Sequence, residues 1–160
     1  MAWTKNGTPD TLTGTADLMT ISDLTAKKFN QFMWHIIAVT GNVQNKFTYN
    51  NNTGTVYAEK YNVNGGSDTS LTSQTVLNVD PTGTQDDKFS INYTCSISSE
   101  EKLSINFTVV QNATGAATAP MRMEVAGKFV PSPDADVTRI DVVNASAGDY
   151  DTSSNLSALG

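Results

Sequence analysis

The sequence predicts an all-β fold: one antiparallel β-sandwich or jelly roll of about nine or ten strands spanning residues 1–160. Three observations lead there. Residues 88–110 alternate apolar and polar side chains with a period of two. Runs rich in β-branched and aromatic residues are separated by Gly, Asn, Asp and Pro clusters at intervals of about ten residues. No segment carries a convincing period of about 3.6 residues, as an amphipathic helix would.

Element by element, residues 2–5 read as a short extended segment, and Leu18 to Ser22 as a strand bounded by Gly14 and Asp23. Residues 29–40 form the longest apolar run, in which Phe32, Trp34, Ile36 and Ala38 alternate with Met33, His35, Ile37 and Val39. Both faces read as buried, which predicts a central strand rather than a helix, with Gly41-Asn42 closing it. Residues 43–50 and 55–62 read as a hairpin around Asn51-Asn52-Thr53-Gly54, because Asn and Gly tolerate the positive φ of tight turns. A loop at 65–68 leads into one strand at 71–79, stopped by Asp80-Pro81-Thr82-Gly83. After the 88–110 hairpin come a small-residue loop at 111–120, strands at 121–130 and 137–144, and a final strand at 155–159.

In the 88–110 hairpin, Phe89, Ile91, Tyr93, Cys95 and Ile97 share a face with Leu103, Ile105, Phe107 and Val109 and are expected to point into the core. The other face carries Ser90, Asn92, Thr94, Ser96, Ser104, Asn106 and Thr108, expected to point outward. Hydroxyls and amides are cheaper to desolvate against another protein than Lys or Glu, so this face is a candidate contact surface. Asn92, Thr94, Asn106 and Thr108 are its centre, and Gly115 and Ala116, at the tip of the 111–120 loop, are candidate interface residues beside it.

Composition narrows the function classes. Charged residues make up 16% of the chain, against roughly 25% in typical soluble domains. A net charge of −6 with only Arg122 and Arg139 as guanidinium groups argues against a nucleic-acid partner. No run approaches the roughly 20 apolar residues of a membrane span, and no apolar leader core is seen, so synthesis in a cytoplasm is expected. Cys95, the single cysteine, excludes an internal disulfide framework and reads as a small buried hydrophobe.

The sequence gives no sign of catalysis, metal or cofactor. It has no nucleophile elbow, phosphate-binding glycine loop or His-Glu-x-x-His. His35, the sole imidazole, lies within an apolar strand and reads as a core or interface histidine. The pairs Asp86-Asp87, Asp134-x-Asp136 and Asp149-x-Asp151 could offer oxygens to Ca²⁺, but acidic loops mostly occur without metal. Glu100 and Glu101 occupy a hairpin turn rather than a cleft. Tyr57 and Tyr61 share a strand face and would be the stacking platform if the domain bound sugar.

Several stretches resemble small β-sandwich modules among virion structural proteins of marine tailed phages and related uncultured viruses. The resemblance runs through Leu24–Phe29, the 47–61 segment with its Asn52–Ala58 centre, Asn64–Thr69 and Ser99–Leu103. It continues at Gln111-Asn112 through Ala119-Pro120, Gly127–Phe129, Thr138–Asp141 and Ala147–Asp149, and departs at Met121 and Phe129, where Asn and Trp are more usual. It implies a non-enzymatic head-decoration, capsid-associated or tail-associated protein, located in the virion, that contacts other virion proteins and forms a homo-oligomer. Two further readings stand beside it: a carbohydrate-binding, adhesin-like module with a glycan partner, and a glycosidase-like jelly roll using a carboxylate pair.

Overall fold

The computed structural model describes residues 3–39, 41–80, 83–96 and 101–160. Ile97 and Glu100, and the 81–82 part of the predicted strand stop, lie outside these residues. Among the described residues twelve strands run in chain order: β1 Asp10–Thr11, β2 Leu18–Ile21, β3 Phe29–Ile36, β4 Asn45–Tyr49, β5 Tyr57–Val63 and β6 Thr69–Gln74. They continue as β7 Leu77–Asn78, β8 Lys88–Ser96, β9 Lys102–Val110, β10 Met121–Phe129, β11 Ile140–Asn144 and β12 Asn155–Leu159. They form two antiparallel sheets, one of eight strands in the order β1-β12-β3-β8-β9-β10-β5-β6 and one of four in the order β2-β11-β4-β7. The predicted all-β sandwich is therefore the fold, built as a wide sheet covered on one face by a narrow one.

The core between the sheets is aromatic. Trp34 meets Phe47 at 5.9 Å between ring centroids, Phe47 meets Tyr49 edge-on at 5.1 Å, and Tyr49 meets Phe129 at 5.4 Å. Tyr57 stacks on Phe129 at 5.0 Å. These rings come from β3, β4, β5 and β10, so they tie both sheets together by the largest apolar areas available.

Two of the predicted elements resolve differently. Residues 45–49 and 57–63 are not a hairpin: β4 belongs to the small sheet, whereas β5 pairs with β10 and β6 in the large one. Asn50 and Asn51 do take positive φ, 54° and 51°, but they turn the chain from one sheet to the other. Asn50 is held away from β5 by hydrogen bonds: its Oδ1 accepts from Thr138 N at 2.9 Å and its Nδ2 donates to Asp136 O at 2.7 Å. The predicted strand at 71–79 likewise splits, at Thr75-Val76, into β6 in the large sheet and β7 in the small one, with Ser73 at a φ of 54° just before the break. Alternation continues through such a crossover, so it conceals the change of sheet.

β3 is a central strand, between β12 and β8. Its Phe32, Trp34 and Ile36 are buried, but Phe29 and His35 on the opposite face are exposed. The expectation of two buried faces is thus corrected, and His35 is a surface histidine on the outer side of the large sheet.

Candidate protein-contact surface

The β8–β9 hairpin forms as predicted, with Ser90 opposite Thr108, Asn92 opposite Asn106 and Thr94 opposite Ser104. Its orientation is the reverse of the prediction. Ser90, Asn92 and Thr108 are 0% exposed, and Thr94, Ser104 and Asn106 are buried with them. Asn92, Thr94, Asn106 and Thr108 are therefore interior residues and cannot form the outer contact surface expected of them.

The physical reason lies across the sandwich. Phe47 and Tyr49 of β4 and Phe129 of β10 fill the space under the hairpin, so small side chains fit opposite them where a second layer of large ones would overpack. Gly127 marks the same constraint on β10, since a Cβ there would lie 3.0 Å from both Leu77 Cδ2 and Ser104 Oγ. Much of the polarity is accommodated by bonds within the face, although Asn92 Nδ2 and Asn106 Oδ1 are buried without a hydrogen-bond partner. Ser90 Oγ and Thr108 Oγ1 are 2.7 Å apart, Asn106 Nδ2 donates to Thr108 Oγ1 at 3.0 Å, and Thr94 Oγ1 donates to Asn92 Oδ1 at 2.7 Å. Tyr49 OH joins the network 2.5 Å from Thr94 Oγ1, and burial pushes its phenol up to about 12, with hydrogen bonds from Thr94, Ser104 and Asn92 opposing.

Two lysines end this interior stripe. Lys88 Nζ lies 2.7 Å from Asp80 Oδ2 and donates to Val43 O at 2.7 Å, with both charged side chains fully buried. Lys102 Nζ meets Asp134 Oδ1 at 2.6 Å. Each lysine lies in register with the Ser/Thr/Asn face, and each is met by a carboxylate from outside the hairpin.

The apolar face consequently points outward. Phe29 of β3, Phe89 and Tyr93 of β8, and Leu103 and Phe107 of β9 are 41–46% exposed, and Ile105 at their centre is 65% exposed. Register makes them one patch: Phe29 lies beside Cys95 and Cys95 beside Leu103, Tyr93 beside Ile105, and Ile91 beside Phe107. Trp3 extends it by an edge-on contact with Tyr93 at 6.4 Å. A hollow of about 370 Å³ among Ile91, Tyr93, Ile105, Phe107 and Glu124 gives the patch relief. Cys95, expected in the core, sits half-buried on this outer face. A monomer's largest apolar patch is ordinarily about 300–600 Å² and often functional, so a sheet face of this kind is the principal candidate site.

The remaining candidate residues fall elsewhere. Gly115 and Ala116 are exposed on the 111–120 loop, which is tied down by Ala113 N donating to Asp86 Oδ1 at 3.0 Å and Asn112 Nδ2 donating to Ala119 O at 3.0 Å. Tyr57 is buried against Phe129, with its hydroxyl donating to Asn52 O at 2.9 Å, and Tyr61 is half-buried on the same inward side of β5. Tyr57 thus cannot be half of an exposed sugar platform; the rings open to solvent on this sheet are Trp3, Phe29, Phe89, Tyr93 and Phe107. Among the described residues no group of three or more His, Cys, Asp or Glu is placed to hold a metal ion. Asp134 and Asp86, two of the predicted Ca²⁺ ligands, already accept hydrogen bonds from Lys102 and Ala113.

Sequence reasoning found the patch's residues but placed them inside. The cross-strand pairing of Ser with Thr, Asn with Asn and Thr with Ser was the available signal, since small polar side chains opposite one another can hydrogen-bond in a dry interior, as Ser90 and Thr108 do.

No family model matches the chain, and no curated protein matches it. Among solved structures it is similar to a non-specific endo-beta-1,3(4)-glucanase from family GH16, at 7% identity and a TM-score of 0.24. The match takes in 89% of this chain and 62% of that one, and a superposition so loose assigns no family and no chemistry.

Proposed function

We propose that the chain is a non-enzymatic structural module that acts by protein–protein contact through the outer face of β3, β8 and β9. The observation that supports this reading most is the apolar patch centred on Ile105, because water-facing sheets normally alternate polar residues outward. The virion setting, as a head-decoration, capsid-associated or tail-associated component, draws on the sequence resemblance described above. The test is a cryo-EM map of virus particles that carry this chain. The chain is expected on the particle with Phe89, Tyr93, Ile105 and Phe107 against a neighbouring protein; a map with that face in open solvent would overturn the reading.

A second reading, glycan binding, is favoured by one specific observation: Trp3 and Tyr93 present exposed, mutually edge-on rings. Base-like stacking on sugar also needs convergent polar groups, and the centre of this face offers few. Binding on a glycan array that is lost in Tyr93→Ala would favour this second reading over the first.

A further inference from the structure

We infer that the partner covering this face is a second copy of the same chain, docked sheet to sheet. The inference rests on the contact-module reading above and names its partner. Seven large apolar side chains, Trp3, Phe29, Phe89, Tyr93, Leu103, Ile105 and Phe107, stand 41–65% exposed on or against this one face. At about 200 Å² for each such side chain, they leave roughly 700 Å² of apolar surface open to water. A stable interface of standard size takes about 800 Å² from each partner, so the patch alone is close to the area one half of a dimer needs.

Charge also favours a like partner. At a net charge of −6, two copies repel unless they meet through a neutral surface. The outer faces of β3, β8 and β9 provide one: Phe29, Gln31, Met33 and His35, then Phe89, Ile91, Tyr93 and Cys95, then Leu103, Ile105, Phe107 and Val109, with no carboxylate, lysine or arginine among them. Lys28, whose Nζ lies 5.4 Å from the Phe29 ring centroid, is a cation at one end of the face, and on β10 and β5 the charges are paired within the chain. Arg122 pairs with Glu124 at 3.4 Å, Lys128 with Glu101 at 3.0 Å, and Lys60 with Asp68 at 3.1 Å. The face is therefore apolar at its centre with charges of both signs at its rim, an arrangement that suits a two-fold interface.

Two such sheets pack about 10 Å apart with strand directions within about 30° of each other, side chains interdigitating. Ile105, the most exposed of the seven, then lies near the middle of the joint. Edge-to-edge pairing is the competing geometry. The β6 edge is poorly shaped for it, because Ser73 bends the strand and the β5–β6 register shifts between Tyr57 and Glu59.

Analytical ultracentrifugation of the full chain over a concentration series tests the inference. Interfaces of this size span μM to pM affinities, so the chain is expected to be a dimer at about 100 μM. Ile105→Lys, which places a charge at the centre of the joint, is expected to raise the dissociation constant at least 100-fold, while Thr75→Lys, an exposed position off the face, leaves it unchanged. Cys95 supplies a second readout that needs no destabilising variant: its thiol labelling in the wild-type chain should slow as concentration rises and the face closes. A wild-type monomer at about 100 μM, or a dimer that survives Ile105→Lys with Cys95 labelling independent of concentration, overturns the inference. If the isolated chain is monomeric but the cryo-EM map shows the face covered by a different protein, self-docking fails and the contact-module reading stands. If the face is open on the particle as well, both fail.

Discussion

The inner and outer faces of the β8–β9 hairpin are written with the same two-residue period, yet they have exchanged the roles that polarity alone would give them. Inside, Ser90, Asn92, Thr94, Ser104, Asn106 and Thr108 bond to one another and to Tyr49. Outside, Phe89, Tyr93, Leu103, Ile105 and Phe107 stand open. Periodicity establishes which residues share a face; the volume and chemistry of what lies opposite decide which face is inside. Here the rings of β4 and β10 supply the volume, and a stripe of small polar side chains, partly bonded to one another, supplies the fit.

The largest effect should come from erasing the inner stripe. Replacing Asn92, Thr94, Asn106 and Thr108 together by Ala removes several buried hydrogen bonds at about 1 kcal/mol each and strands Ser90 and Tyr49 hydroxyls, so a loss of about 5 kcal/mol in urea unfolding is expected. An unchanged midpoint would place those side chains on the surface. Next, Lys88→Met leaves the buried Asp80 carboxylate without its ammonium partner; removing one member of a buried pair costs about 3–5 kcal/mol, measurable in the same way.

A smaller, pH-dependent difference is expected at Glu59. Burial raises its carboxyl above the ordinary value of 4.5, with the bonds from Asn78 opposing. A raised value means the fold favours the protonated form. Glu59 therefore detracts least from stability below about pH 4.5 and progressively more as pH rises through its folded value. Glu59→Gln should flatten that slope in a series of melting curves, and parallel wild-type and variant profiles would refute the sign. Smallest of all is the folding cost of Ile105→Lys, within about 0.5 kcal/mol for the monomer because the side chain is already open to water. A cost of several kcal/mol would put Ile105 in the core.

Much of the fold was legible in the sequence. The strands at 18–21, 88–96, 102–110, 121–129 and 155–159 match their predicted positions closely, because each is a sustained alternation between turn residues. The crossovers at Asn50 and at Thr75-Val76 were not legible: a chain leaving one sheet for another can keep its period, and at Asn50 it uses the same turn chemistry as a hairpin. Nor was the two-residue β1, too short to show any period. The candidate site was legible as a set of residues and misread as to side. Lys88 and Lys102 lie in phase with the polar stripe, and only the packed fold reveals that Asp80 and Asp134 come from other segments to meet them.

Cysteine reactivity at two neighbouring positions tests the inversion most directly. In a Cys95→Ala background, Ile105→Cys and Asn106→Cys are each labelled with a thiol reagent across a range of chain concentrations. Asn106→Cys should stay protected at every concentration and react only on global unfolding, whereas Ile105→Cys should react freely in dilute solution and become protected as copies associate. Free reaction at Asn106→Cys, with Ile105→Cys protected at all dilutions, would contradict the account.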